Sequence, residues 1–355
     1  MAVKDAGLTL DDVDGLATYP GNSGPAGGAS LSQVHDALRI DLKWHAAYGE
    51  GPAQLTAFHH ACLAVASGWA QHVVVYRTVT EATAYAAGVD GREMLRQIPG
   101  MDWMLEWMLP FGAMSVTNWV APMVARHCHD HGTTREQLAQ VAMTARRHAG
   151  NNPQAVYRSP MSLDDYFGAR MISSPLCLYD CDVPVDGATA FVVSHVDTAR
   201  DLPHNAVQVE ALGWGIASRR PWDQFSDDGG AVASTAEQLW SRTELTVADV
   251  DVACLYDGFT IVPLLWLEAL GFCGRGEGGA FVDGGARIAM DGELPLNPHG
   301  GQLSAGRLHG YGFLHEACVQ LRGQGADRQV PGAEVVVVTN GAGPSAGCVL
   351  LTRHR

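Results

Sequence analysis

The sequence lacks the features of several protein classes. Charged residues make up only 17% of its 355 residues, and Lys and Arg total 23 against 38 Asp and Glu, a formal net charge of −15. So few cations argue against binding a nucleic-acid backbone, which clustered Lys and Arg neutralise. No run reaches the roughly 18 consecutive apolar residues of a membrane helix, and MAVKDAGLTLDDVDG has no apolar signal core. We therefore expect a cytoplasmic protein without a membrane span.

Cysteine is also sparse. Eight cysteines lie scattered from Cys62 to Cys348, without the dense spacing of a secreted disulfide framework, which indicates reduced and mostly buried thiols. The closest pair, Cys177 and Cys181, has three intervening residues, and no second pair follows it. We therefore predict no metal site.

Apolar residues and glycine are abundant instead. Hydrophobic residues make up 47% of the chain, and glycine occurs 41 times, well above its average share of roughly 7%. The length suits one large domain or two packed halves, and the low charge hints at a surface covered by oligomerisation. The glycines predict tight turns or loops whose backbone approaches a ligand closely.

The chain contains an internal repeat. The segment LTLDDVDGLATY, which starts at Leu8, is echoed by LTVADVDVACLY, which starts at Leu245, and HVVVY at His72 is echoed by EVVVV at Glu334. The two echoes are similarly spaced, which indicates two related α/β halves. The Val-rich runs show no polar alternation, as expected of strands that are buried on both faces.

Helical spacing occurs between these strands. It is found in GPAQLTAFHHACLAVASG, which ends at Gly68, and in FLHEACVQLRG, which ends at Gly323. The segment TTREQLAQVAMTARRHAG begins with a capping-box pattern, Thr133 with Glu136. From about 88 to 122, Met and Trp residues are irregularly spaced. Either a substrate-covering or dimer-facing insertion or ordinary helical core fits that stretch.

Three motifs are weak candidates for chemistry. The sequence GPSAG at Gly343–Gly347 matches a nucleophile elbow, but a strand-like segment follows where an elbow needs a helix. The adjacent ligands His127–His131 point in different directions on a helix and do not converge on one metal. The pairs Arg146–Arg147 and Arg219–Arg220 could meet a phosphate, but a surface role is the simpler interpretation.

Two loops are stronger candidates. Leu255–Thr260 directly follows the strand of the second repeat, and open α/β sheets present side chains at the carboxyl ends of their strands. Asn297–Gly310, NPHGGQLSAGRLHG, runs into the helix FLHEACVQLRG, so backbone N–H groups and a helix N-terminus are available to a developing oxyanion. Together the loops carry a phenol, a carboxylate, two imidazoles and a guanidinium.

These segments resemble the thiolase superfamily. The duplicated halves, the Asp186-Gly187-Ala188 step before the strand FVVS, the NPHGG loop and the C-terminal NGAGPSAG all fit, over nearly the whole chain. The resemblance implies dimers and an α/β fold of five layers, α-β-α-β-α, with two mixed five-stranded sheets. We place the halves at 1–200, with an insertion around 88–165, and at 201–355. The family's first strand and helix do not precede AVKDAGL, so we expect the first half to lack its first strand.

The catalytic cysteines of a thiolase are absent. Tyr48-Gly49-Glu50-Gly51 stands where the nucleophilic cysteine should begin a helix, and the second cysteine is replaced near Asn340. Without a thiolate, no acyl-enzyme of the usual kind forms. The sequence more closely resembles the thiolase-like lipid-transfer subgroup that includes the steroid side-chain-cleaving aldolases, which carry Tyr-Asp-x-Phe-Thr and Asn-x-His-Gly-Gly-Gln-Leu-Ser in these two loops.

This resemblance implies retro-aldol cleavage of a β-hydroxyacyl-CoA, with a steroid side chain or similar branched acyl chain, to a ketone and a shorter acyl-CoA. The subgroup uses two tyrosines as base and acid. The first corresponds to Tyr256 and the second to Arg307, whose guanidinium stays protonated and hardly donates a proton. We expect Tyr256, helped by Asp257, to take the hydroxyl proton, and Arg307, His299 and loop N–H groups to stabilise the enolate.

The resemblance also suggests the remaining parts of the site. His309, or Tyr311 beside it, is the candidate for the acid role. Coenzyme A is expected only as part of the substrate, with no bound cofactor, and four glycines are expected to line its site: Gly300, Gly301, Gly341 and Gly343. A homodimer and a small zinc-ribbon and OB-fold accessory protein are the implied partners.

Two alternative functions stay open. One is a thiolase-like acyltransferase with an unconventional nucleophile. The other is a non-catalytic subunit that binds acyl-CoA or lipid within a heteromeric complex.

Overall fold

The computed structural model describes residues 1–19, 27–48, 54–89, 106, 108–201, 203–217 and 230–354, with the backbone alone at 199–201. The strands are β1 (Gly15–Thr18), β2 (Trp44–Ala47), β3 (His72–Thr80), β4 (Met171–Ser173), β5 (Leu176–Cys177), β6 (Asp186–Ser194), β7 (Val207–Ile216), β8 (Val252–Cys254), β9 (Val335–Gly341) and β10 (Ser345–Arg353). The α-helices are α1 (Ala2–Asp5), α2 (Leu31–Leu38), α3 (Thr56–Ala66), α4 (Glu81–Ala86), α5 (Val116–His131), α6 (Arg135–Ala149), α7 (Leu163–Gly168), α8 (Ala231–Trp240), α9 (Ile261–Leu270), α10 (Gly278–Val282) and α11 (Tyr311–Leu321).

The predicted repeat is a repeat of sheet topology. The first sheet has the order β2-β1-β3-β6 and the second the order β7-β10-β9-β8. Strands β1 and β3 are parallel, as are β8 and β9, and β6 and β10 run antiparallel to β3 and β9 respectively. Each echoed sequence therefore occupies the same position in its own sheet.

The mixed α/β fold is confirmed, but the described residues place four strands in each sheet rather than five. In the second half, the fifth position is a single parallel bridge from Leu296 to Ala253. The positive φ of Asn297, 50°, ends that pairing after one residue. In the second half, β7 pairs with β10. The counterpart of β10 in the first half is β6, and no strand among the residues described pairs with its outer edge.

Two central helices lie between the sheets. Phe58 of α3 and Phe313 of α11 are buried together with Val75 of β3 and Val338 of β9. On its outer face the first sheet packs against α2, and the second packs against α8 and α9. Outer helices, first sheet, central helices, second sheet and outer helices together make the five expected layers. Both faces of the Val-rich strands are apolar because helices pack on both sides of each sheet.

The insertion packs against the second half of the chain. Val124 of α5 and Leu138 of α6 are buried with Leu264 of α9. Trp119 of α5 is also buried, and its indole N–H donates to the carbonyl of Ala113 at 3.0 Å. Ordinary helical core is therefore correct for this tryptophan, whereas Trp103 and Trp107 lie outside the described residues. The boundary at residue 200 stays a prediction.

The weak motifs have structural roles where the model describes them. Helix α6 is capped by Thr134, whose hydroxyl accepts a bond from the N–H of Gln137, so the cap predicted at Thr133 is one residue too early. Arg146 lies over the rings of Tyr157 and Tyr179. The Arg219–Arg220 pair lies outside the described residues.

The candidate ligand groups do not converge. His127 is buried against Glu268, whereas His129 is exposed. Ser345 of the GPSAG motif begins β10 and no helix follows it. In the part of the chain that the model describes, no three His, Cys, Asp or Glu side chains are close enough to hold a metal ion. No described helix is both long enough and apolar enough to cross a membrane.

Replacing Gly301 with alanine should destabilise the fold more than replacing Gly132. Both glycines have positive φ, 59° and 74°, which costs an L-residue about 1–2 kcal/mol. A Cβ at Gly301 would also overlap the buried carboxylate of Asp257, whereas one at Gly132 would meet open space. Urea unfolding should show at least twice the loss of unfolding free energy for Gly301→Ala. Equal losses would contradict the close approach.

Candidate active site

Tyr256 follows the end of β8 and is held from three sides. Its backbone N–H donates to the hydroxyl of Thr339 on β9 at 2.9 Å. Its ring contacts Phe313 of α11 edge-on, with centroids 6.1 Å apart. A Cβ at Gly258 would lie only 2.8 Å from the tyrosine ring, so glycine is needed there for the ring to fold back over its own chain. The phenol therefore lies close to the first turn of α11.

Asp257 holds the loop Asn297–Ala305 rather than facing a ligand. Its fully buried carboxylate accepts bonds from the N–H of Gln302 at 2.7 Å and from the amide of Asn297 at 3.2 Å. Burial raises the pKa of Asp257 to about 8, although these donors act in the opposite direction. The structure thus gives Asp257 a positioning role, where direct help to the base was expected.

Helix α6 supports the same loop from its other side. A Cβ at Gly300 would collide with Ala149 at the end of this helix. Asn152, just beyond it, donates to the carbonyl of His299 at 2.9 Å, and Arg146 donates to the hydroxyl of Ser304 at 3.1 Å. Close packing against Ala149 and Asp257 explains why glycine stands at positions 300 and 301. The contact of these glycines with coenzyme A stays a prediction.

Arg307 lies in a buried cluster of charges. Its guanidinium donates to Glu81 at 2.6 Å and to Asp182 at 2.8 Å. Burial lowers the pKa of Arg307, but the two carboxylates outweigh it and raise that pKa well above its usual value. Burial raises the pKa of Asp182 to about 6, with Arg307 opposing. Arg307 is thus permanently charged, but its charge is already matched by two carboxylates.

His309 and Tyr311, the candidates for the acid role, both lie within the protein, and the role of each stays a prediction. Nδ1 of His309 accepts a bond from Arg77 at 2.9 Å, and its Nε2 lies 3.5 Å from a Glu81 oxygen. Burial, together with Arg77 and Arg307, lowers the pKa of His309 well below its usual value, so the ring is neutral. Tyr311 is fully buried and packs against Phe191 of the first sheet, and burial raises its pKa.

His299 is close to Tyr256 but is not a cation. Its ring lies edge-on to Phe313, with centroids 5.2 Å apart, so Phe313 contacts both candidate residues. Burial lowers the pKa of His299 to about 3. His299 is therefore neutral near pH 7, and its expected part in stabilising an enolate stays a prediction.

Several polar residues of the site carried no usable signal in the sequence. Gln302 accepts a bond from the N–H of Gly310 at 3.3 Å, and its amide is 3.5 Å from Asp182. Asn340 of β9, at the position of the second thiolase cysteine, donates to Gln54 just before α3. Glu81 directly follows β3, but the repeat matches β3 to β9 and not to β8, so it does not identify Glu81 from Tyr256. Asp182 and Gln54 stand in no comparable pattern.

The two C-terminal glycines anchor helices of the second half. The carbonyl of Gly341 accepts a bond from the indole of Trp266 on α9 at 2.9 Å, and that of Gly343 accepts one from Ala231 at the start of α8, also at 2.9 Å. Both glycines have positive φ. Their contact with coenzyme A stays a prediction.

The thiols do not supply a nucleophile. All eight cysteines lie among the described residues and are free. Burial raises the pKa of every one of them, including Cys62 of α3 to about 12. Because the thiolate is the reactive form, none of them is activated for attack.

Comparisons with known proteins agree with this geometry. Residues 227–352 match the family model described as "Thiolase C-terminal domain-like". The chain is 37% identical to a steroid side-chain-cleaving aldolase of Thermomonospora curvata, over 98% of this chain and 90% of the relative. It is 36% identical to the 17-hydroxy-3-oxo-4-pregnene-20-carboxyl-CoA lyase of Mycobacterium tuberculosis, over 98% and 91%. The solved structure titled "Ltp2-ChsH2(DUF35) aldolase" has a TM-score of 0.88 at 34% identity, over 99% of this chain and 90% of that one.

Replacing Asp257 with asparagine should remove a pH dependence of stability. The folded pKa of Asp257 is raised to about 8 from 3.8, so the native state holds a proton that the unfolded state has released between these pH values. Stability from this group is full below about pH 4 and is lost as the pH rises through 8, by about 1.4 kcal/mol per pH unit. The free energy of unfolding, measured in urea between pH 5 and 8, should decrease with pH less steeply in Asp257→Asn than in the wild type, by that amount per pH unit.

The alanine variant is the matched control. Asp257→Ala leaves the Gln302 and Asn297 donors without their acceptor, so it should lower the free energy of unfolding at every pH by about 1–3 kcal/mol for each lost bond. An unchanged slope in Asp257→Asn would show that Asp257 is ionised throughout.

Proposed function

Since the chain belongs to the thiolase superfamily and, within it, to the family of the steroid side-chain-cleaving aldolases, we propose that it is an acyl-CoA lyase. It cleaves a β-hydroxyacyl-CoA by retro-aldol chemistry to a ketone and a shorter acyl-CoA. The observation that carries this proposal is the pairing of eight free thiols, each with a pKa raised by burial, with a partly exposed phenol at the first turn of α11. The site offers proton transfer but no thiolate.

Tyr256 is the group that moves the proton. Burial raises the pKa of the Tyr256 phenol above its ordinary value, so the ionised form, whose oxygen takes the proton of the substrate β-hydroxyl, is the minor form near neutral pH. The electron pair of that O–H bond forms the ketone C=O, the bond between the α- and β-carbons breaks, and its electrons pass to the α-carbon and the thioester oxygen as an enolate. Arg307 retains its positive charge throughout and lies on the loop beside Tyr256, where its N–H groups support the enolate oxygen.

The same tyrosine then completes the reaction. The resemblance places an acid at Arg307, but a guanidinium is unsuited to proton donation, and His309 is a neutral imidazole hydrogen bonded to Arg77. Tyr256, which has just taken a proton, returns it to the α-carbon of the enolate. The tyrosine is ionised again at the end of the cycle, and no proton is gained or lost overall.

The relatives support a proposal for the substrate, and the thiols support one for the location. The relatives are named for steroid side chains and for a 17-hydroxy steroid carboxyl-CoA, which supports a steroid or similarly branched acyl chain for this protein. Coenzyme A enters with the substrate, and no bound cofactor is needed for the steps above. Eight free cysteines support a reducing compartment such as the cytoplasm.

The partners are proposed from the related assembly. The neighbouring aldolase structure includes a DUF35 protein, according to its title. We expect this chain to work with a small zinc-ribbon and OB-fold protein of that kind, and to form a homodimer. The acyltransferase alternative is disfavoured by the buried thiols, and the non-catalytic subunit becomes an outcome of the activity test.

Replacing Tyr256 with phenylalanine should abolish ketone release. The change removes the only atom proposed to carry the proton, and we expect kcat to fall by about a hundredfold or more. The assay follows ketone and acyl-CoA from a panel of β-hydroxyacyl-CoAs, with and without the co-purified DUF35 partner. Tyr157→Phe, at an exposed tyrosine, is the control. Substrate binding without turnover by the wild-type complex would favour the non-catalytic subunit, and unchanged rates in Tyr256→Phe would refute the assignment.

Replacing Asp182 with asparagine should change the pH dependence of cleavage. The pKa of Asp182 is raised to about 6, and its carboxylate clamps Arg307 and accepts from Gln302. Below pH 6 the wild-type carboxylate is protonated and that clamp weakens, so kcat/KM should fall about tenfold per pH unit. The kcat/KM of Asp182→Asn should be lower than that of the wild type above pH 6 and should not fall further below pH 6. Asp283→Asn, at an exposed carboxylate, should keep the wild-type fall below pH 6, the acid limb of the profile. An acid limb that persists in Asp182→Asn would assign it to another group.

A further inference from the structure

Arg146 is a buried cation for which the described residues offer no anion. Its side chain, near the end of α6, is only 8% exposed, so the surface role expected from the sequence does not apply to it. We propose that Arg146 binds a phosphate group of the coenzyme A part of the substrate. This inference rests on the proposed function, because coenzyme A is the part of that substrate that carries phosphate.

The guanidinium of Arg146 is held by two tyrosine rings and a serine. Its central carbon lies over both rings, 4.8 Å from the ring centroid of Tyr157 and 5.4 Å from that of Tyr179. Its Nε donates to the hydroxyl of Ser304 at 3.1 Å. The ring contacts use the faces of the rings and do not depend on the phenol hydroxyl groups. The side chain is therefore oriented before a ligand arrives, which reduces the entropy cost of binding.

The two terminal nitrogens of Arg146 are available to a ligand. No described residue accepts a hydrogen bond from them or pairs with them as a carboxylate, and neither nitrogen is fully enclosed. Asp180, beside the second ring, accepts instead from Tyr166 at 2.7 Å and from Thr260 at 2.6 Å. Arg307, by contrast, has two carboxylates as partners. Because a buried charge needs a partner, an anion from outside the described chain fits this position.

Two exposed arginines add positive charge to the segments that hold Arg146. Arg158 directly follows Tyr157, and the carbonyl of Arg170 accepts a bond from the N–H of the residue before Tyr179 at 2.9 Å. Neither arginine forms an ion pair with a described residue. In a chain with a formal net charge of −15, this concentration of cations favours an anionic ligand. A phosphate suits it, because its acceptor oxygens match the paired N–H groups of a guanidinium.

The loop held by Asp257 connects Arg146 to the proposed catalytic phenol. Ser304, which accepts from Arg146, lies two residues after Gln302, whose backbone N–H donates to Asp257. The carbonyl of Ser304 also accepts from the N–H of Tyr157 at 2.9 Å. In coenzyme A, the pantetheine arm separates the thioester from the phosphates. The phosphates can therefore lie on the α6 side of this loop while the thioester lies at the phenol.

The first test measures binding of coenzyme A without turnover. Calorimetry compares the wild type with Arg146→Met, which removes the charge and retains an unbranched side chain. The variant should bind coenzyme A about tenfold more weakly, because a charge-assisted contact to phosphate is lost. Arg147→Met is the matched control, since Arg147 is exposed and donates to Thr144 at 3.1 Å. This control removes the same charge from the adjacent position and should change the Kd by less than about twofold.

Dephospho-coenzyme A, which lacks the 3′-phosphate, identifies the phosphate group that is bound. If Arg146 holds the 3′-phosphate, the wild type should bind this ligand about tenfold more weakly than coenzyme A, and Arg146→Met should bind the two equally. If Arg146 holds the pyrophosphate, Arg146→Met should weaken both ligands by the same factor. Either result supports the inference, whereas a Kd for both ligands unchanged by Arg146→Met would overturn it.

A truncated substrate separates phosphate binding from general damage. With a β-hydroxyacyl-CoA, Arg146→Met should raise KM about tenfold with little change in kcat. With the corresponding β-hydroxyacyl-pantetheine, which has no phosphate, the wild type and Arg146→Met should have the same kcat/KM. An equal loss with both substrates would assign Arg146 a structural role and overturn the inference. If Arg146→Met does not fold, Arg146→Gln, which retains a donor for Ser304, carries the same tests.

Failure of the phosphate site and failure of the proposed function give different results. Coenzyme A binding that depends on Arg146, without cleavage of any β-hydroxyacyl-CoA, would support the site and count against the function. Cleavage by the wild type, with coenzyme A affinity unchanged in Arg146→Met, would overturn the site and leave the function in place. No binding of coenzyme A by the wild type would overturn both.

Discussion

The site depends on one buried carboxylate and the loop that closes over it. A buried carboxyl group needs hydrogen-bond partners, and the oxygens of Asp257 accept bonds from the backbone of Gln302 and the amide of Asn297. The loop comes close enough only because Gly301 has no side chain at the point of contact. Once the Gln302 backbone is held there, its side chain can reach Asp182. Asp257, which the sequence suggested as a helper of the base, thus positions the loop that carries Gln302.

The charges beside the phenol balance one another. Arg307 comes from the second half of the chain, and the two carboxylates that hold it, Glu81 and Asp182, come from the first. Arg77 adds a second cation, bound to neutral His309, so two positive and two negative charges share a mostly buried cluster. Pairing of this kind offsets the cost of burying each charge, and it ties the two halves together at the site. The resemblance implies a tyrosine where Arg307 stands, so the proposed function assigns the proton transfer to Tyr256.

Much of the fold was predictable, because a repeat is a local signal that appears twice. The Val-rich runs at His72 and Glu334 became β3 and β9, and the segments at Leu8 and Leu245 became β1 and β8. The strand count was less predictable, because the positive φ at Asn297 limits the fifth strand of the second half to one bridge. The two candidate loops could be singled out from the sequence, but a side chain's role depends also on burial, which residue type alone does not reveal.

By itself, the sequence determined the duplicated α/β architecture, the absence of the thiolase cysteines and the placing of Tyr256 at the end of a buried strand. Only the tertiary structure decided what surrounds that tyrosine. Gln302 lies 3.5 Å from Asp182, and Gln54 accepts a bond from Asn340 of β9, although the partners in each pair are far apart along the chain. The same burial made His299 and His309 neutral and the cysteines unreactive, since transfer from water disfavours the charged form of each.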